Sequence, residues 1–249
     1  MLITEFTKPT DRKDIEASLE PFLEFIKSGK EISIKQIRNK LYRALQSIGV
    51  EEIDITRSKN VDVGDMNMNG AYDPVDDEDD FGAFSLELIF SETDKTIAFS
   101  KEGVQNIKDR LIDLLEHEMI HRDQYRGRDF IKQREYKPAK GISKKLKTTR
   151  EYLGNDDEIE AFAKNISSEL IRKVDKDGAL QLLRMAGKTA NFKDRMNNLL
   201  SPNLFGYFAA FDFDTRHPVL RKLLKKIWLY IEHSDGYRKL KLLHPTRMG

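Results

Sequence analysis

Ile107, Leu111, Leu114 and Glu118 follow one another at spacings of four, three and four, the rhythm of one buried face of a helix, and the last of them is a carboxylate. Burying an unpartnered carboxylate costs several kcal/mol, so a helix that keeps one must give it a partner or a chemical role. The neighbouring residues suggest such a role, because the stretch reads His117-Glu118-Met119-Ile120-His121. Histidines four apart project from the same helix face, so both imidazoles can reach one ion. The glutamate between them can take a proton from a water held by that ion. Leu114, Leu115, Met119 and Ile120 weigh against an exposed helix on which these polar residues would be incidental. A structural zinc without chemistry is the remaining alternative to a catalytic one.

The residue inventory narrows the chemistry further. The 249 residues include no cysteine, which excludes disulfides, thiolate metal sites and thiol nucleophiles. Any metal must therefore rest on His, Asp and Glu. Charged residues make up 34% of the chain, and no apolar run approaches the roughly 20 residues that span a bilayer. Met1-Leu-Ile-Thr-Glu-Phe lacks the basic and apolar regions of a secretory signal, so a cytoplasmic location and no membrane are expected. The net charge of +1 conceals an acidic stretch at 73–80 and a basic one at 122–150. Solvated faces explain such runs most simply, and a docking surface for an acidic partner is the sharper reading. The bases are not interleaved with aromatics, which weighs against nucleic acid.

Apolar periodicity predicts helices over 11–26 and 33–48, the second closed by Gly49, and then a strand at 52–56. Asn69-Gly70 favours a tight turn with positive φ. Residues 84–90 and 96–99 read as a strand pair joined by a polar turn. Ser100 can cap a long helix running to Tyr125. A basic loop is expected over 127–147, followed by helices at 156–174, 177–187, 190–200 and 217–234. Strands before the long helix and helices after it make an α+β arrangement, expected as a single domain over 1–249. Its parts would be 1–58 with helices and a strand, 59–174 around the metal site, and a helical 175–249.

Zinc needs a third protein ligand. His217, His233 and His244 lie far along the chain, whereas Asn155-Asp-Asp-Glu158-Ile-Glu160-Ala161 offers carboxylates at a helix start. Glu158 borders the face marked by Ile159, Phe162, Ala163 and Ile166, beside the small Ala161. Glu160 points nearer to solvent. Glu158 is therefore favoured as the ligand, with a capping box between Asn155 and Glu158 as the alternative.

The segments His117-Glu-Met-Ile-His-Arg-Asp-Gln124 and Tyr152-Leu-Gly-Asn-Asp-Asp-Glu-Ile-Glu-Ala-Phe-Ala163 resemble the gluzincin branch of the zincin metallopeptidases, most closely predicted peptidases of tailed bacteriophages. A looser likeness covers Asn69-Gly70-Ala-Tyr72-Asp-Pro and His217-Pro-Val-Leu. The resemblance implies a zincin-like fold with a small twisted sheet, Zn²⁺ on His117, His121 and Glu158, and Glu118 as general base and acid. It implies a peptide or protein substrate lying on an edge strand, for which 84–90 is the candidate, and a location in the host cytoplasm or the virion. One departure stands out. Several such families carry an aspartate four residues after the ligand glutamate, where this chain has Phe162, so a second-shell partner for a histidine must come from elsewhere. Tyr152, Tyr207 and His217 are candidates by residue type for stabilising the transition state, each with packing as the simpler reading.

Other motifs carry less. Asp76-Asp-Glu-Asp-Asp80 lacks the spacing of a calcium loop and reads as a solvated loop. The stripe Leu220, Leu223, Leu224, Ile227, Leu229 and Ile231 reads as a core-facing helix. The competing function is a non-enzymatic phage virion or assembly protein that retains the fold.

Overall fold

The computed structural model describes residues 12–74, 82–128, 135–138, 141, 143–186 and 201–234. Their contacts divide the chain into two compact units, Met1–Lys132 and Gln133–Gly249. Each unit has its own apolar cluster. The class is mixed α+β, with strands confined to the first unit among the described residues.

In the first unit, α1 spans Arg12–Ile26 and buries Ile15, Leu19, Phe22, Leu23 and Ile26. A two-residue strand β1, Ile32–Ser33, leads into α2, Ile34–Leu45. Ser33 and Gln36 cap α2 reciprocally, satisfying donors that the first turn leaves open. A 3₁₀ turn over Gln46–Ile48 then ends at Gly49, whose φ of 92° is left-handed and suits glycine. The strands β2 (Val50–Ser58), β3 (Met66–Asp73) and β4 (Ala83–Ser91) form a sheet in the order β2-β4-β3. β4 runs parallel to β2 and antiparallel to β3. Its alternation buries Phe84, Leu86, Leu88 and Phe90 on one face. β5, Thr96–Ile97, precedes α3, Lys101–Arg126, which is capped by the Ser100 hydroxyl on the Gly103 N–H.

The structure corrects two expectations for this unit. Residues 84–90 and 96–99 do not form a hairpin: β4 has neighbours on both edges, and β5 pairs with β1, Ile32 opposite Ile97. The intervening loop is held by Arg57, whose guanidinium donates to the carbonyls of Ser91 (2.9 Å) and Asp94. Asn69-Gly70 is not a turn. Both residues lie within β3, opposite Glu87 and Leu86, and the Asn69 amide donates to the Glu87 carboxylate at 2.8 Å. A dipeptide preference yields here to eight residues of ladder pairing.

In the second unit, Ser143 caps α4, Lys144–Leu153, a helix not expected from the sequence, so the basic loop ends four residues earlier than expected. α5 follows as Asp156–Ala186, broken at Asp175 (φ 58°), as the expected helices 156–174 and 177–187 require. The Asp175 carboxylate then accepts from the Gly178 N–H at 2.9 Å and restarts the helix. Two more helices are α6, Pro202–Ala210, and α7, Pro218–Glu232. α6 is absent from the helices expected from periodicity, although Ser201 followed by Pro202 is a start signal. α7 buries Val219, Leu220, Leu223, Ile227 and Ile231, the stripe expected to face a core. The expected helix 190–200 and the acidic loop 76–80 lie outside the described residues. No helix among the described residues is long and apolar enough to cross a membrane.

Candidate metal centre

α3 carries the motif because its apolar stripe docks on the sheet. Ile107, Leu111, Ile112, Leu115 and Met119 are buried there, and Glu118 is buried with them, 6% exposed. Helix and sheet approach closely at Gly70 of β3. A Cβ at that position would sit 3.0 Å from Leu114 Cγ and 3.2 Å from Glu118 Cγ. The missing side chain of Gly70 thus lets the carboxylate-bearing turn of α3 settle on the strand.

His117 is 6% exposed, and its ring lies edge-on to that of His121, with centroids 4.7 Å apart and planes at 78°. The two imidazoles share one side of the helix, as i and i+4 residues do. His121 has an orienting partner: its Nδ1 lies 3.1 Å from Gln124 Oε1. With Nδ1 donating to that carbonyl, Nε2 is the lone-pair nitrogen available to an ion. The sequence motif alone gives Gln124 no role. Its i to i+3 spacing from His121 is the signal that could have found one.

Glu158 sits in the first turn of α5, half-buried, with one carboxylate oxygen fully buried. The helix is capped by Asn155, whose side-chain oxygen accepts from the Asp157 N–H at 3.1 Å. Glu160, the competing carboxylate, is engaged by the Lys226 ammonium and the Tyr230 hydroxyl of α7. It does not point to solvent as the sequence suggests: it ties α5 to α7. Ala161 is fully buried.

His117 and His121 offer two imidazoles on one side of α3 in the first unit, and Glu158 offers a half-buried carboxylate at the start of α5 in the second. Two imidazole nitrogens and a carboxylate oxygen are a donor set that zinc accepts.

The residues proposed by type divide clearly. Tyr207 is 1% exposed, and its hydroxyl is buried with no hydrogen-bond partner among the described residues. Burial, then the nearby Glu158 carboxylate and Tyr152, push its pKa far above the usual tyrosine range, so it keeps its proton. Phe162 packs edge-on against Tyr207 with centroids 5.4 Å apart, and against Tyr152 at 6.2 Å. The position that is an aspartate in the resembled families therefore serves an aromatic cluster here. His217 caps α7, its Nδ1 accepting from the Val219 N–H at 3.3 Å, and its ring lies 4.6 Å from that of Phe211. His233 Nδ1 meets the Leu229 carbonyl at 2.8 Å near the end of the same helix. These contacts give both histidines structural roles. His244 lies outside the described residues. The candidate edge strand is also corrected: 84–90 is the central strand, while β3 pairs only with β4 among the described residues. No family model, no curated protein and no solved structure matches the chain.

Proposed function

We propose that the protein is a zinc-dependent peptidase with a zincin-like fold, in which His117, His121 and Glu158 hold the ion and Glu118 is the general base. The observation that carries this reading is the pair of imidazoles on one side of α3, with ring centroids 4.7 Å apart, on a turn where Glu118 is itself buried. A buried acid beside a cation is an arrangement that tunes a proton acceptor. When bound, zinc supplies a Lewis acid that acidifies water and polarises a carbonyl. Glu118 takes the proton of the attacking water on its carboxylate and returns it to the leaving nitrogen. Gln124 orients the His121 ring through Nδ1, which would present Nε2 to an ion. β3, the sheet strand against which Glu118 packs, offers an extended edge on which a peptide can add as a further strand.

Glu118→Gln tests the assignment, since it keeps the shape and removes the base. Hydrolysis of a casein or mixed-peptide substrate should fall by about 10²–10⁴, with zinc content unchanged. Full activity in this variant would remove Glu118 from the role.

A further inference from the structure

Among the described residues, one cation of α3 has only a weak counter-charge. Arg122 is 8% exposed, and its Nε is buried without a hydrogen-bond partner among the described residues. Its contacts among the described residues are with Asp123 Oδ1, at 3.4 Å from Nη2, and with the Phe84 ring, whose centre lies 5.5 Å from the guanidinium carbon. Asp123 is half exposed, so water competes for its carboxylate. Arg126 stands one turn further along, and partial burial together with Arg122 holds its pKa below the usual arginine range. Arg126 also feels Asp123 and Tyr72, which act in the opposite direction, so the weakly paired cation is Arg122. Buried cations are normally paired, because desolvating them unpaired is costly.

Their position relative to the candidate centre is set by two regular elements. Gly70 of β3 lies against Glu118, Tyr72 is two residues further along the same strand, and Tyr72 packs on Phe84 with ring centroids 5.4 Å apart. Two strand residues advance about 6.6 Å, and one helix turn, from Glu118 to Arg122, advances about 6 Å. Helix and strand therefore carry Arg122 and the Tyr72–Phe84 pair in step, one residue pair beyond the turn that bears Glu118.

We propose that Arg122, with Arg126 beside it, forms a subsite for a carboxylate on a peptide lying along β3. This inference rests on the peptidase reading for its biological meaning, although the binding it describes does not need the metal. A guanidinium recognises a carboxylate by two parallel N–H···O bonds, and the Phe84 ring, 5.5 Å from the guanidinium carbon, attracts the cation without taking up a hydrogen-bond donor. The carboxylate comes either from an acidic side chain one or two residues from the cleaved bond or from the end of the chain.

Three tripeptides separate these sources: acetyl-Ala-Glu-Ala-amide, acetyl-Ala-Ala-Ala with a free terminus, and acetyl-Ala-Ala-Ala-amide. Their binding is measured by calorimetry on protein stripped of metal and dialysed free of chelator, and again with zinc restored. At least one carboxylate peptide should bind 10-fold or more tighter than the uncharged one, and Arg122→Met should erase that difference. Arg122→Lys, which keeps the charge but not the fork, should retain only part of it. Thermal melting of each variant without peptide reports folding separately, and Arg122→Met should melt no lower than the parent. Equal binding of all three peptides, or a preference unaffected by Arg122→Met, would overturn the subsite. Carboxylate selectivity in metal-free protein together with no zinc-dependent hydrolysis would keep the subsite and defeat the peptidase reading.

Discussion

Gly70→Ala puts the fit between β3 and α3 under direct test. Gly70 is not among the glycines with positive φ, so the backbone accepts an alanine and the penalty is steric alone. The new methyl would lie 3.0 Å from Leu114 Cγ and 3.2 Å from Leu114 Cδ1 and Glu118 Cγ, each inside ordinary contact. The helix or the strand must give by a few tenths of an ångström. Overpacking of this kind costs about 1–3 kcal/mol, and exchanging a strand glycine for alanine returns about 0.5–1 kcal/mol. The net expectation is a loss of about 1 kcal/mol in urea unfolding at constant m value. Leu114→Ala removes the nearer obstacle, so the double variant should be less destabilised than the sum of the two singles by about 0.5–2 kcal/mol. A Gly70→Ala protein as stable as the parent or more so, or strict additivity in the cycle, would refute the close approach and with it the reason for a glycine there.

Two further expectations concern the second unit. Tyr207→Phe removes a buried hydroxyl that has no partner among the described residues, so stability should rise by about 1 kcal/mol; a fall in melting temperature would mean the hydroxyl is donating in the folded protein. His217 has a pKa lowered first by burial and then by Arg150, so the unfolded chain takes up its proton before the folded one does. Its contribution is whole above the unfolded value of about 6.5 and is lost as pH falls from there through the lower folded pKa. His217→Asn keeps a capping side chain without the titration and should flatten the melting profile in that window; an unchanged profile would reject the assignment.

Local features were legible in the sequence. The Ser100 cap, the Ser33–Gln36 box and the Gly49 stop all signal through residues a few positions apart, and the helices they bound fall within a few residues of their expected ends. The stripe through Ile107, Leu111, Leu114 and Glu118 exposed the buried acid for the same reason: helical periodicity turns a three-dimensional face into a one-dimensional rhythm. Strand partners were not legible. β4 reads as one arm of a hairpin because its neighbours in sequence are near, but pairing is decided by β2, 33 or 34 residues back, and β3, 10 to 24 residues back, which local patterns do not reveal. Gly70 reads as a turn residue because glycine serves turns and close contacts alike, and only the packed helix distinguishes them. Between the two carboxylates of α5, the choice of Glu158 rested on one small neighbour. The engagement of Glu160 with Lys226 and Tyr230 depends on α7, some 66 and 70 residues further on.

The central claim is that two histidines of α3 and Glu158 of α5 hold one ion. Metal content per chain, measured by mass spectrometry on protein purified without chelators, tests it directly across the parent, His117→Ala, Glu158→Ala and Glu160→Ala. Close to one zinc per chain is expected in the parent and in Glu160→Ala, with loss in the other two while their helical circular dichroism persists. Zinc retained in Glu158→Ala, or lost in Glu160→Ala alone, would contradict the ligand set, and a folded parent that takes up no zinc at all would end the account.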